Sequence, residues 1–197
     1  GPASGTRRFA ESALRLVEKN FVWLLALGLL LPTMHQSSLG TMMLLPATKL
    51  HALWFTPWLP FLFLVNCVVM GYGIVVCESA FSAHAFRRPP ETAMLARLSG
   101  VALWVALFWV AFRLVEVALA GELALLGSRL GWVFLAEAGV HLAAVVVLLS
   151  PARRADPVWQ VRAAILLILA GVGFRLNTYL VAFDPGSHFR YFPAVPE

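Results

Sequence analysis

Five long apolar runs constrain this chain more than any other feature of its sequence. They extend over residues 21–45, 59–81, 98–120, 131–149 and 159–181. Roughly 20 helical residues cross a bilayer core, and only helices or closed barrels satisfy their backbone polar groups in lipid. The chain is 60% hydrophobic and 13% charged, whereas about a quarter of the residues in soluble domains are charged. The sequence therefore predicts an all-α, polytopic transmembrane helix bundle with five spans.

The basic residues predict the orientation of these spans. Ten lysines and arginines lie before the first span, after the second and after the fourth, against three on the opposite connections. Because basic residues are enriched on the cytoplasmic side, we expect residues 1–20 to form a cytoplasmic amphipathic segment in a bacterial inner membrane. The fifth span then ends on the periplasmic side. The net charge of +5 reflects topology and contact with anionic lipid rather than binding of nucleic acid.

Both ends of the chain have features expected of an internal fragment of a larger membrane protein. The sequence begins at Gly1 without a methionine. At the other end, Pro196 and Glu197 suit the first turn of a further helix, so residues 184–197 are expected to form a periplasmic connection to it. Cys67 and Cys77 lie ten residues apart on one span, which is too far for a disulfide. No metal site is expected.

Polar residues inside the spans are the candidates for a functional site. Ionisable groups in hydrocarbon are costly and usually face a bundle interior, a partner or a cavity. At about 1.5 Å of rise per residue, most of them fall at one depth in the outer half of the membrane, while Glu78 lies near the cytoplasmic end of its span. The residues at the shared depth are His35, Arg113, Glu116, Glu137, His141 and Arg175.

Helical spacing predicts which of these residues can meet. Arg113 and Glu116 are three residues apart and Glu137 and His141 are four apart, so each pair shares a helix face.

Three classes of protein use a layer of polar residues inside the membrane. A secondary transporter places polar groups midway through broken helices, a b-type cytochrome uses histidines as axial haem ligands, and a quinone oxidoreductase needs hydrogen-bond donors beside an acid or base. His35 and His141 match in depth, so spacing leaves the haem alternative open.

Two motifs add a resemblance. "LPTMHQSSLGTMML" and "RLNTYLVAFDPGSHFRYFPAVPE" closely resemble the NrfD-like, polysulfide-reductase-type family of quinone-interacting membrane subunits. Within it they are most similar to the HybB-like subunit of nickel-iron uptake hydrogenases. The resemblance implies that this chain is part of a larger NrfD-like bundle and that it holds no haem. It also implies that the chain carries no complete catalytic site by itself.

The resemblance further implies partners and residue roles. Electrons would pass from hydrogenase catalytic subunits through an iron–sulfur subunit to a membrane quinone, menaquinone or ubiquinone, with proton translocation coupled to quinone reduction. Two groups of residues are assigned. The quinone site is expected to include His35, Gln36, Asn66, Arg113, Arg175 and Asn177, and the proton relay is expected to include Glu78, Glu116, Glu137 and His141.

Overall fold

The computed structural model describes residues 2–89 and 91–186. Seven α-helices follow one another along the chain: α1 (Pro2–Lys19), α2 (Phe21–Met42), α3 (Leu59–Ala85), α4 (Thr92–Leu119), α5 (Arg129–Leu149), α6 (Pro151–Arg154) and α7 (Pro157–Leu176). A π-helical turn, Asn177–Val181, continues α7, and 3-10 turns cover Ala47–Lys49 and Glu122–Gly127. No β-strand occurs in these two ranges. The expected connection at 184–197 lies outside the described residues from position 187 onward.

Five helices are long and apolar enough to cross a membrane, namely α2, α3, α4, α5 and α7 with its π-helical turn. The prediction of an all-α polytopic bundle with five spans is therefore confirmed. The helices do not coincide with the apolar runs at every end. The third spanning helix begins at Thr92 rather than near residue 98, and the second continues to Ala85, because helical hydrogen bonding extends past the hydrocarbon core into more polar sequence.

Glycines allow the spans to approach one another closely. A Cβ on Gly73 of α3 would lie 2.8 Å from the backbone oxygen of Ala164 in α7, and one on Gly40 of α2 would lie 2.6 Å from Cα of Pro60 in α3. Small residues at such crossings bring transmembrane helices into van der Waals contact. α3 thereby packs against α2, α4 and α7, while α5 fills the space between α4 and α7.

Polar caps begin two of the spanning helices at defined residues. The Ser128 hydroxyl accepts a hydrogen bond from the backbone N–H of Gly131 at 3.0 Å, which starts α5. The Asp156 carboxylate accepts from the N–H groups of Val158 and Trp159, which starts α7. These acceptors satisfy backbone donors that have no partner inside the helix.

The connection between α2 and α3 folds inward over one end of the bundle. Its backbone pairs with the chain after α7, because the N–H of His51 donates to the carbonyl of Ala182 and the N–H of Asp184 donates to the carbonyl of Lys49, both at 2.8 Å. Leu53 and Trp54 are buried. We call residues 50–58 the outer loop; it brings side chains and backbone carbonyls down to the polar layer.

Candidate functional site

Arg113 of α4 is the most enclosed charged side chain of the polar layer, with 1% of its surface exposed. It donates from Nη1 to Oε2 of Glu116 at 2.6 Å and from Nη2 to the carbonyl of Leu53 in the outer loop. Its guanidinium carbon lies 5.3 Å from the ring centroid of Phe134. The predicted pair of Arg113 and Glu116 is therefore a salt bridge, and Arg113 also fixes the outer loop to α4.

Glu137 of α5 is a buried carboxylate held by neutral donors. Its Oε2 accepts from Nδ2 of Asn177 at 2.7 Å and from Nε1 of Trp54 at 3.2 Å. Glu137 also lines a groove between α5 and α7 of about 270 Å³, whose other lining residues are Val133, Ala136, Val140, Leu169, Ala170, Gly173 and Asn177. This carboxylate and its amide partner are the polar groups at an otherwise apolar opening in the bundle.

His141 lies one turn below Glu137 and is fully buried. The two residues meet, but not through the carboxylate: Nδ1 of His141 lies 3.1 Å from the backbone carbonyl of Glu137. A carbonyl only accepts, so Nδ1 carries the proton and Nε2 accepts from Nδ2 of Asn66 at 3.0 Å. The imidazole also stacks on Trp109 with ring centroids 4.1 Å apart. Both ring nitrogens of a neutral histidine are thus engaged.

Arg175 of α7 connects three helices. Its Nη1 donates to Oδ1 of Asn66 at 2.6 Å and to the carbonyl of Gly171 at 3.0 Å, and its Nη2 donates to Oε1 of Gln36 at 2.8 Å. All of these acceptors are neutral, and within residues 2–89 and 91–186 no carboxylate lies within salt-bridge distance of this guanidinium. The half-buried positive charge is therefore compensated by neutral groups, which include the sulfur of Met70 at 3.0 Å from Nη1.

A continuous hydrogen-bonded chain links several of the predicted site residues. It runs from Gln36 through Arg175 and Asn66 to His141 and the backbone of Glu137. In the π-helical turn, Asn177 is directed toward Glu137 rather than toward Arg175. Four helices, α2, α3, α5 and α7, contribute to this chain of contacts.

Two predicted residues lie apart from the others. His35 is exposed on α2, so the structure does not bring its side chain to Arg175, although its neighbour Gln36 does reach it. Glu78 is exposed near the far end of α3 and lines a separate cavity of about 270 Å³, together with Ser79, Ser82 and Arg88 among others. Their assigned roles in quinone binding and proton relay stay predictions.

Three residues of the site were not predicted from the sequence. Trp54 and Thr56 belong to the outer loop, where Trp54 donates to Glu137 and the Thr56 hydroxyl donates to Oε1 of Glu116. Trp109 covers one face of His141. The only sequence signal was the apolar character of "HALWFTPWLP" between two spans, since a loop this rich in tryptophan and leucine is poorly suited to water.

Comparison with known proteins gives two relatives. The chain is 31% identical over 201 residues to the probable Ni/Fe-hydrogenase 2 b-type cytochrome subunit of Escherichia coli strain K12, an alignment that covers 100% of this chain and 51% of the relative. It is 29% identical over 177 residues to a protein of Nitratidesulfovibrio vulgaris, with 84% of this chain and 45% of the relative covered. The chain thus spans about half the length of the curated relatives it matches. No family model and no solved structure matches it.

These findings correct two expectations. The assignment to the NrfD-like family and to its HybB-like members is not supported, because no family model matches and the Escherichia coli relative is named as a b-type cytochrome subunit. The expectation that no haem is bound is also wrong when judged by this relative, since a b-type cytochrome is defined by its haem. That expectation rested on the resemblance, which the comparison does not support.

His35, His84 and His141 do not provide a pair of axial haem ligands in the described structure. Both ring nitrogens of His141 are engaged, and Nδ1 of His51 accepts from the backbone N–H of Leu53. His35 lies seven residues before the end of α2, whereas His84 lies at the far end of α3. At about 1.5 Å per residue, these two differ by more than 20 Å in depth, so they cannot be axial ligands of one iron.

The name of the relative and the fold of this chain are consistent with each other. The relative's name places it in a hydrogenase, and five helices of this chain are long and apolar enough to cross a membrane. All five contribute side chains to the layer of charged and hydrogen-bonding groups. This chain is a multi-pass membrane protein that is similar, over its whole length, to half of a hydrogenase membrane subunit.

Proposed function

We propose that this chain is part of an electron-transferring membrane subunit of a hydrogenase-type respiratory complex. The similarity to a Ni/Fe-hydrogenase 2 subunit over 100% of the chain is the observation that carries this proposal. The partners in the proposal are the hydrogenase catalytic and iron–sulfur subunits. The membrane is the bacterial inner membrane, with α1 on its cytoplasmic side in accordance with the distribution of arginines.

The relative's name favours a b-type haem as the electron carrier. The optical spectrum of the purified complete complex tests this directly. A Soret band and an α band that appear on reduction by hydrogen would establish the cytochrome function. A complex that reduces quinone with hydrogen but lacks both bands would exclude it, and the polar layer would then be the site at which electrons leave the protein.

The environment of Arg175 supports a quinone as the final acceptor. Its guanidinium is half-buried, donates only to neutral acceptors and lies beside the amides of Gln36 and Asn66. A reduced quinone gains negative charge, and a preorganised cation in a low-dielectric site stabilises such charge strongly. Arg175 can therefore exchange an amide partner for a quinone oxygen without first breaking a salt bridge.

Replacing Arg175 with glutamine tests this acceptor site. We expect hydrogen-dependent quinone reduction by the complete complex to fall about 100-fold, the effect of removing one preorganised donor at a developing charge. Reduction of a soluble viologen dye, which takes electrons from the iron–sulfur subunit, should be unchanged. Arg129→Gln, at the start of α5 and outside the polar layer, is the matched control. Normal quinone reduction by Arg175→Gln would contradict the proposed role.

The groove between α5 and α7 supplies a route from the lipid to Glu137 and Asn177. A Cβ added to Gly173, which lines this groove, would meet no atom within 4 Å, and the same holds for Gly139 on the lipid-facing surface of α5. A side chain can therefore begin at either position without a clash at its Cβ. Only the leucine at position 173 would occupy the groove, because Gly139 does not line it.

We expect Gly173→Leu to raise the KM for quinone by about tenfold and to leave viologen reduction unchanged, because loss of shape fit at an apolar site is worth roughly 1–3 kcal/mol. Gly139→Leu should behave as the unaltered protein in both assays. Equal kinetics for the two variants would show that the acceptor does not enter through this groove. That result would leave the test of Arg175 unaffected.

A further inference from the structure

The turn between α5 and α7 holds a cluster of cations without acidic partners. Arg153 and Arg162 lie over the ring of Trp159 and Arg154 belongs to the same turn. Within residues 2–89 and 91–186 the only salt bridges are those of Arg7 with Glu11 and Arg113 with Glu116. Asp156 lies in the same turn, but its carboxylate accepts from the backbone N–H groups that begin α7. Three guanidiniums therefore share the turn with a single carboxylate, whose Oδ1 caps the helix.

The geometry of this turn is fixed. The guanidinium carbons of Arg153 and Arg162 lie 4.9 Å and 4.6 Å from the ring centroid of Trp159, so the indole positions both cations through cation–π contacts. The buried amide of Gln160 donates to the carbonyl of Arg154 at 2.6 Å and to the carbonyl of Thr92 at 3.0 Å. It thereby ties the turn to the start of α4.

Arg154 adds an observation of its own. Its Nε is buried and has no hydrogen-bond partner among the described residues. Its Nη1 lies 2.9 Å from the position that a Cβ on Gly100 of α4 would occupy. The absence of a side chain at Gly100 thus leaves room for the guanidinium of Arg154 between the turn and α4. Positive charge therefore lies inside this junction as well as on the surface of the turn.

The location of the cluster indicates which kind of ligand it can bind. Consecutive spans alternate in direction, so this turn lies on the same side of the bundle as α1 and the turn between α3 and α4, where the other arginines accumulate. A tryptophan at the end of a span lies at headgroup level, and basic pockets between spanning helices at this level bind anionic headgroups. Guanidiniums in particular pair with phosphate through two parallel hydrogen bonds.

We propose that Arg153, Arg162 and Trp159, supported by Arg154, bind the headgroup of an anionic phospholipid that carries two phosphodiester groups, as in diphosphatidylglycerol. Three cations and one carboxylate leave a net charge of +2 in the turn, which two phosphates neutralise. The indole between the guanidiniums offers an apolar contact for the glycerol that joins the phosphates. The diffuse attraction of any basic loop for anionic lipid requires neither the cation–π pairs nor the buried guanidinium.

Native mass spectrometry of the complete protein with added lipid tests this proposal. We expect diphosphatidylglycerol to bind at one tight site, and Arg153→Gln/Arg162→Gln to weaken that site roughly 20- to 30-fold, since each basic residue near the membrane surface contributes about fivefold. Arg87→Gln, on the same side but in the turn after α3, should change it less than twofold. An equal melting temperature of the three proteins without lipid shows that folding is unaffected.

A second variant distinguishes the effect of positive charge from the effect of guanidinium geometry on lipid binding. Arg153→Lys/Arg162→Lys keeps both charges but loses the planar donors and their stacking on Trp159, and we expect it to lose most of the tight binding. Equal weakening by Arg87→Gln, or full binding by the lysine variant, would reduce the cluster to diffuse attraction and overturn the proposal. Phosphatidylglycerol with a single phosphate bound as tightly as diphosphatidylglycerol would overturn the requirement for two phosphates.

Discussion

Arg113→Leu is expected to destabilise the protein by about 3–5 kcal/mol, the cost of removing one member of a buried ion pair. The variant leaves the Glu116 carboxylate without its cation and the carbonyl of Leu53 without the donor that holds the outer loop. The measurement is the melting temperature of the purified complete protein, together with its elution as a single species from size-exclusion chromatography. We expect a much lower melting temperature and partial aggregation.

The double variant Arg113→Leu/Glu116→Leu shows how much of the lost stability is due to an uncompensated charge and how much to lost packing. Removing both members leaves no uncompensated charge, and apolar replacements of buried ion pairs are often neutral in stability. The double variant should therefore recover part of the melting temperature that Arg113→Leu loses. If the two variants were equally unstable, the bond to Leu53 and the contact with Phe134 would account for the loss instead of the ion pair.

The number of spans followed from the sequence because apolar length is a sufficient criterion for crossing a membrane. The sequence did not indicate which face of each span is buried. The polar residues of α2 and α3 do not form a single stripe, and a helix without a polar stripe gives no signal of which face is buried. His35 and Gln36 illustrate the result: both were assigned to the quinone site, but only Gln36 is turned toward Arg175.

The contacts of the site depended on backbone details that spacing does not contain. Four-residue spacing correctly brought Glu137 and His141 together, yet the imidazole bonds the carbonyl of Glu137 while its carboxylate turns to Asn177 and Trp54. Asn177 reaches it because the last turn of the helix is π-helical. Trp54 reaches it because a loop enters the bundle from the end, which a pattern of spans cannot predict.

α2 approaches the rest of the bundle most closely at one small residue. Gly40 is the only residue of α2 that is buried, and a Cβ at this position would lie 2.6 Å from Cα of Pro60 and 2.7 Å from the backbone of Leu59. Since these neighbours are backbone atoms, no change of rotamer can relieve the contact. A larger side chain at Gly40 must move α2 away from α3.

Gly40→Val is therefore expected to cost roughly 3 kcal/mol through overpacking and to lower the melting temperature accordingly. Displacement of α2 also breaks the bond from Arg175 to Gln36 and the 3.0 Å bond from the Tyr179 hydroxyl to the carbonyl of Leu39. Quinone reduction should then fall with viologen reduction intact. Gly28→Val is the control on the same helix, because a Cβ there meets nothing within 4 Å. A stable, active Gly40→Val protein would show that the junction of α2 with α3 does not position Gln36 for the site.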